Sequence, residues 1–306
     1  MAHLKYGVSL GRLNPAFWTE AVDVADGLGY ESVWLPEHLV LPVQMTRSPF
    51  PGQEHPPVPP STPIYDAFAY LSFFAGRTQR IRLATHVYNI GLRHPFISAR
   101  AVQTLDVASG GRAEFGIGAS WLESEWQSVG FDFSTRGRRV DEAIAVCQRL
   151  WSEEVVEHHG EFFDFAPVMF EPKPVQKPWP PISVGGESDA ALRRAARLDG
   201  WVGMQHTHES VARAVARLNG LRAAAGREHE RFDVTIGATV QNQEDAERWA
   251  AAGVTRILVA PWRKSPEAAA GLKAFAEKMA LAGSGVAAAA ELGVEGVVVD
   301  EQPRSR

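Results

Sequence analysis

The sequence predicts an α/β protein built as a closed (β/α)8 TIM barrel, with a β-hairpin inserted between units four and five. Short apolar runs alternate with longer amphipathic runs along the chain, which is typical of repeated βα units around a parallel sheet. Eight such units fit within its 306 residues, as one barrel requires. A doubly wound open sheet is the alternative, but such sheets rarely contain eight regular units. No composition shift marks a domain boundary, so we expect one barrel domain over residues 1–282 and a C-terminal tail over 283–306.

Each predicted strand is a short apolar run, and each following helix has apolar residues at helical spacing. In order, the predicted strands are Tyr6–Leu10, Ser32–Leu35, Ile81–Thr85, Ala113–Ile117, Pro181–Val184, Gly200–Gly203, Phe232–Ala238 and Arg256–Val259. The predicted helices are Pro15–Leu28, Ile64–Ala75, Phe96–Ala108, Thr135–Trp151, Asp189–Leu198, Glu209–Ala225, Gln243–Ala252 and Pro266–Ala280.

Long loops are predicted after strands two and four. The predicted hairpin pairs Val155–His158 with Phe162–Phe165 around a turn at Gly160. Glu37–Pro63 follows strand two, Phe163–Pro181 leads into strand five, and both are too rich in proline for a helix or a central strand. Long ordered loops after barrel strands are where binding sites are built, although packed surface loops would look the same in sequence.

Charge and cysteine content exclude several classes of function. Lysine and arginine number 31 against 36 acidic residues, for a net charge of −5, so the chain lacks the basic surface expected for nucleic acid or anionic membranes. Cys147 is the sole cysteine, which excludes an intrachain disulfide and a cysteine-based metal cluster. We predict no metal site. Neither a signal-peptide profile nor an apolar run of roughly 18 residues is present, so we expect a cytoplasmic protein with a small-molecule substrate.

Polar residues follow strands two and three at the predicted mouth of the barrel. His38 ends the run Trp34-Leu-Pro-Glu-His38, where an imidazole can exchange a proton near neutral pH; holding the proline-rich loop is the alternative role. His86 and Asn89 follow strand three and are suited to hydrogen bonds with the edge of a heteroaromatic ring. The sequence therefore predicts a catalytic His38, with His86 and Asn89 beside it.

Glycines follow strands four and five. Gly116 and Gly118 form a GxG pair without the third glycine of a dinucleotide fingerprint, because Trp121 stands in its place. These glycines would let a planar ligand approach the backbone, with Trp121 as one wall. Gly185 and Gly186 precede a predicted helix, where free N–H groups favour an anion; an ordinary tight turn is the alternative.

The stretch from Arg80 through Trp151 resembles the bacterial luciferase-like family, especially its deazaflavin-dependent branch, and the likeness extends over about residues 5–260. The motifs that carry it are Ile81–Thr85, Arg93–Pro95, Leu105–Arg112, Phe115–Gly118 and Arg136–Glu142, with Trp34–His38 before them and Gly185-Gly186 and Ala191–Trp201 after them.

The resemblance implies coenzyme F420, or FMN as the alternative, with its ring at the barrel mouth. It further implies a non-proline cis peptide near Thr85–Val87 that supports the ring, a phosphate site at Gly185–Glu187 formed by backbone groups, and a catalytic or ring-contacting His38. Members of the family are commonly dimers, so we expect a homodimer.

Two departures bear on the substrate. Family members that oxidise sugar phosphates carry an acidic residue soon after the GxG, where this chain has Trp121, and a tryptophan after the strand-two histidine, where it has Leu41-Pro42. We therefore expect a small apolar or aromatic substrate contacting Trp121 and Ser124.

Three functions remain open. The first is F420-dependent hydride transfer. The second is an FMN-dependent monooxygenase that receives reduced flavin from a partner reductase. The third is a coenzyme-binding barrel without catalysis.

Overall fold

The computed structural model describes residues 4–45, 48 and 58–281. Eight parallel strands close into a barrel in the order β1-β10-β9-β8-β7-β4-β3-β2, which confirms the predicted fold. The barrel strands are β1 Lys5–Ser9, β2 Ser32–Leu35, β3 Arg82–Thr85, β4 Ala113–Ile117, β7 Ile182–Gly185, β8 Gly200–Gln205, β9 Asp233–Gly237 and β10 Arg256–Val259. Closure occurs where β1 pairs with both β2 and β10.

The helices pack around the outside of the barrel. They are α1 Trp18–Leu28, α2 Ala67–Ala75, α3 Pro95–Ala108, α4 Glu123–Ser128, α5 Arg136–Ser152, α6 Asp189–Ala195, α7 His208–Ala224, α8 Gln243–Ala251 and α9 Ala268–Lys278. Helix α4, in the loop after β4, was not predicted. Helix α2 begins later than predicted because the Asp66 side chain caps it by accepting the Ala69 N–H.

The predicted tail over residues 283–306 and most of residues 46–57 in the loop after β2 lie outside the described residues. Among the helices that the structure does describe, none is long and apolar enough to cross a membrane.

The inserted hairpin is antiparallel and consists of β5 Val155–His159 and β6 Asp164–Met169. The predicted second strand, Phe162–Phe165, was wrong by its first two residues, because both Phe162 and Phe163 donate their backbone N–H groups to the Glu142 carboxylate on α5. Strand β6 also occupies the first part of the segment that we predicted as loop.

The barrel interior has two layers. At the N-terminal ends of the strands, the fully buried Arg256 donates hydrogen bonds to the carboxylates of Glu31 and Glu114 and lies 3.6 Å from Asp233. Above it, a separate apolar cluster contains Trp34, Ala84, Val202 and Leu258, with Val87 packed against it. These charged side chains lie at the bottom of the barrel, and the apolar cluster forms the floor beneath the mouth.

Candidate active site

His38 lies just beyond β2 and is held by a buried carboxylate from another unit of the barrel. Its Nδ1 is 3.1 Å from Oε2 of Glu125 on α4. The other oxygen of Glu125 accepts the Leu39 N–H at 2.6 Å, so one carboxylate fixes both the ring and the adjoining backbone. The His38 side chain is 18% exposed and that of Glu125 is fully buried. The imidazole is therefore anchored at one end and accessible at the mouth.

A second carboxylate, Glu37, supports the first. Its Oε2 accepts the Asn89 N–H at 2.9 Å and its Oε1 accepts a hydrogen bond from Arg93 at 2.5 Å. Burial raises the pKa of Glu37, although Arg93 and the Asn89 N–H favour its ionised form. The Asn89 side-chain amide donates to Glu125 Oε2 at 3.1 Å. Asn89 thus links the two carboxylates, and its predicted contact with a coenzyme stays a prediction.

The end of β3 forms an apolar floor at the centre of the mouth. The peptide bond between His86 and Val87 is cis, as the resemblance predicted for this segment. A Cβ on Gly118 would lie 2.7 Å from Val87 Cγ2, and one on Gly185 would lie 2.9 Å from Val87 Cγ1. Glycine at both positions leaves room for Val87, which remains partly exposed above the apolar cluster.

Thr85 and Gly116 have packing roles. Thr85 is fully buried, and its hydroxyl donates to the Gly116 carbonyl at 2.7 Å. A Cβ on Gly116 would lie 2.0 Å from the Thr85 carbonyl oxygen, so Gly116 allows β3 and β4 to approach each other. A coenzyme contact at either residue stays a prediction.

His86 is neutral at physiological pH because burial lowers its pKa to about 4. Its ring meets that of Trp34 edge to face, with centroids 5.9 Å apart. A neutral imidazole donates from one nitrogen and accepts at the other, which suits the predicted hydrogen bond to a ring edge.

Trp121 lies against His38. Their rings meet edge to face, with centroids 5.9 Å apart and an interplanar angle of 88°, so the structure brings the predicted catalytic residue and the predicted substrate wall together. Ser124 is the second residue of α4, and its buried hydroxyl has no hydrogen-bond partner among residues 4–45, 48 and 58–281. Substrate contacts for Trp121 and Ser124 stay predictions.

The turn Gly185–Glu187 follows β7. Gly186 has φ of +118°, a conformation that favours glycine, and its carbonyl accepts a hydrogen bond from Trp201 Nε1 at 2.9 Å. The Glu187 carboxylate pairs with His206 Nε2 at 3.2 Å. The Glu187 side chain is thus engaged within the protein, which leaves any phosphate contact of this turn to backbone groups. The phosphate site itself stays a prediction.

Sequence reasoning missed Glu125, the residue that organises the site. It lies in Leu122-Glu-Ser-Glu-Trp126, a segment too short to show helical periodicity. The one available signal was an acidic residue beside a tryptophan in a loop after a barrel strand. Glutamate is seldom buried without a partner, so a glutamate buried at this position would indicate a paired carboxylate.

Comparison with known proteins decides the family. A family model described as luciferase-like monooxygenase matches residues 4–300. The chain belongs to this family. The predicted family is thereby confirmed, and the protein is a luciferase-like oxidoreductase.

Three known proteins are similar to this chain in sequence or in structure. An uncharacterized protein of Mycobacterium tuberculosis is 31% identical over 264 residues, covering 85% of this chain and 93% of that protein. An FMNH2-dependent dimethylsulfone monooxygenase of Pseudomonas putida is 29% identical over 180 residues, covering 58% of this chain and 48% of that enzyme. The structure of the coenzyme F420-dependent tetrahydromethanopterin reductase of Methanopyrus kandleri has a TM-score of 0.72 at 16% identity, covering 91% of this chain and 99% of that one. The last similarity shows the shared fold.

Proposed function

We propose that this luciferase-like enzyme transfers a hydride between coenzyme F420 and a small apolar or aromatic organic substrate at the barrel mouth. The observation that carries the proposal is the position of the His38 ring, which is anchored by Glu125 and packs against Trp121. Hydride transfer to or from a carbon–oxygen bond requires a proton partner at the oxygen, and an oriented imidazole at an apolar wall supplies one.

The residues at the mouth fit a deazaflavin. The floor at Val87, flanked by Gly118 and Gly185, is apolar, and neutral His86 lies beside it. When bound, the deazaflavin ring accepts or donates the hydride at C5. Val87 would support the face of the ring, His86 would bond its edge, and His38 would exchange the proton on the substrate oxygen.

Substitution of His38 tests this role. We expect His38→Ala to lower kcat by roughly 10²- to 10⁴-fold, the range for a positioned acid–base group, while the Kd for F420 stays unchanged. His229→Ala is the matched control because the His229 side chain is 95% exposed. Unchanged turnover of His38→Ala would contradict the role of His38.

Anaerobic titration with F420 and FMN, each oxidised and reduced, tests the coenzyme. We expect F420 to bind and its spectrum to change when substrate is added. Preferential binding of FMN, with oxygen uptake on admission of air, would replace our proposal with an FMN-dependent monooxygenase served by a partner reductase. The Pseudomonas putida relative is named for dependence on FMNH2. Tight F420 binding without any substrate-dependent change across a panel of alcohols and ketones would indicate an inactive coenzyme-binding barrel.

A homodimer is part of the same proposal. An apolar groove on the outer face of the barrel is formed by α2, α3 and β6, and its lining includes Phe68, Phe96 and Phe170. Ile97 and Met169 in this groove are 60% and 62% exposed. Exposed apolar patches of this kind mark interaction surfaces, which supports pairing of two copies through this face.

A further inference from the structure

We propose that Glu125 is a positioning residue that fixes the tautomer of His38, so that Nδ1 carries the proton bound to Glu125 and Nε2 is the nitrogen that works at the mouth. This inference rests on the proposed role of His38. In this inference, the buried carboxylate of Glu125 determines which ring nitrogen of His38 faces the substrate.

The hydrogen bonds around Glu125 define the tautomer. Oε1 accepts the Leu39 N–H at 2.6 Å, and Oε2 accepts the Asn89 amide at 3.1 Å. The Ser120 hydroxyl lies 3.4 Å from Oε2. These neighbours are donors, and a carboxylate that receives them is an acceptor only. Since Nδ1 of His38 lies 3.1 Å from the same Oε2, Nδ1 must be the protonated nitrogen.

The neutral ring then has its acceptor at Nε2, on the side away from Glu125. Among the described residues, no hydrogen bond engages Nε2 of His38, and the side chain keeps 18% of its surface exposed. Trp121 covers one side of the imidazole. The substrate therefore meets Nε2, which can accept a proton from an alcohol or, once protonated, return it to a carbonyl oxygen.

Glu125 is the common acceptor of donors from two other units of the barrel. Its side chain is fully buried, and its loss would leave the Leu39 N–H, the Asn89 amide and the His38 Nδ1–H without their acceptor. A donor that loses its partner beside a buried site is costly, and the Asn89 bond is buried, so the carboxylate holds the histidine loop of unit two against units three and four.

Glu125→Gln is the sharpest test, because it retains the shape of the side chain and changes its hydrogen bonding. A glutamine has one oxygen, and the short bond from Leu39 directs that oxygen to the Oε1 position. Its NH2 group then faces Nδ1 of His38, which must become an acceptor, and the Asn89 amide, which must turn to present its oxygen. The expected result is a switch of His38 from the Nδ1–H to the Nε2–H tautomer.

Nitrogen-15 NMR of protein labelled at histidine reads the tautomer directly without coenzyme. The chain has ten histidines, and His38→Gln identifies the His38 signals by difference. We expect Nδ1 protonated in the unmodified protein and Nε2 protonated in Glu125→Gln. Finding His38 as the Nε2–H form in the unmodified protein, or unchanged in Glu125→Gln, would overturn the proposal. The measurement on the unmodified protein decides even if the variant does not fold.

The chain supplies a matched control in Glu142, a partly buried carboxylate that also binds a histidine and backbone N–H groups. His158 Nε2 lies 3.0 Å from its Oε1, and the Phe162 and Phe163 N–H groups donate to it. We expect Glu142→Gln to leave the His38 tautomer and turnover unchanged. Loss of the His38 tautomer in this control would show a general structural effect and would contradict a specific role for Glu125.

Turnover separates positioning from binding. We expect Glu125→Gln to lower kcat roughly 10²- to 10⁴-fold, as for other enzymes whose histidine adopts the wrong tautomer, with an unchanged Kd for F420 and recovery of the tautomer in Glu125→Asp. A normal kcat together with a switched tautomer would overturn the catalytic part. If F420 itself does not bind, the coenzyme assignment is wrong. The NMR measurement on His38 is made without coenzyme and still decides the tautomer proposal.

Discussion

Replacement of Gly116 by alanine is the most direct test of the floor at the barrel mouth. The new Cβ would lie 2.0 Å from the carbonyl oxygen of Thr85 and 3.1 Å from its carbon. Non-bonded atoms need more than 3 Å, so β3 and β4 must separate by about 1 Å. Because the obstructing atoms belong to the backbone, no side-chain rotation relieves the clash. We expect a loss of about 3 kcal/mol in the free energy of unfolding, the upper end for overpacking.

Two further alanine variants set the scale. At Gly118 the Cβ would meet Val87 Cγ2 at 2.7 Å, and a side chain can yield, so we expect a loss of about 1 to 2 kcal/mol. At Gly220 in α7 there is nothing within 4 Å, and alanine favours a helix over glycine by about 1 kcal/mol, so this variant should be more stable than the unmodified protein.

Urea denaturation followed by tryptophan fluorescence measures all three free energies. The order of stability should be Gly220→Ala, unmodified protein, Gly118→Ala, Gly116→Ala. The reasoning is refuted if Gly116→Ala unfolds within about 0.5 kcal/mol of the unmodified protein, the range of neutral surface substitutions. Because Val87 follows the end of β3 and forms the floor, Gly116→Ala should also bind its coenzyme more weakly.

Acid should weaken the ion pairs at the bottom of the barrel and so lower the stability of the fold. Burial opposes their ionisation, but Arg256 and Lys5 outweigh it and lower the pKa of Glu31 and of Asp233 to about 2. Carboxylates whose pKa is depressed in the folded state stabilise the fold at pH values above their unfolded-state pKa near 4, and this stabilisation is lost as the pH falls. The urea midpoint should therefore drop between pH 4 and pH 2. A urea midpoint that stays constant over this range would contradict the ion pairing. For the proposed dimer, Ile97→Glu places a charge in the exposed groove and should yield monomers in sedimentation velocity, whereas a dimer that persists would move the interface elsewhere.

The sequence predicted the repetitive part of this fold well. Strand-length, mainly apolar runs such as Ser32–Leu35 and Ala113–Ile117 coincide with β2 and β4, because a parallel strand buried on both faces is rich in apolar residues. The inserted hairpin was less predictable. Phe162 and Phe163 look like strand residues, yet their N–H groups are taken by Glu142, and a side-chain acceptor distant in sequence leaves no local pattern.

The candidate site divides in the same way. His38, Trp121 and the glycines after β4 and β7 were predictable, because residues just past barrel strands meet at one mouth. The carboxylates beneath them were not. Glu125 is 87 positions from His38, and its burial depends on donors from three units of the barrel, which no single segment of the sequence displays.

The anchoring of His38 from α4 has a consequence for how this enzyme can diversify. The histidine belongs to the chain of unit two, but its orientation is fixed by Glu125 from unit four and by Asn89 from unit three. In the segment that follows the histidine, the described residues that share this anchor are Leu39 and Val40. Substitutions among the described residues beyond Val40 can therefore adapt the mouth to new substrates while the orientation of the proton-transfer group is kept.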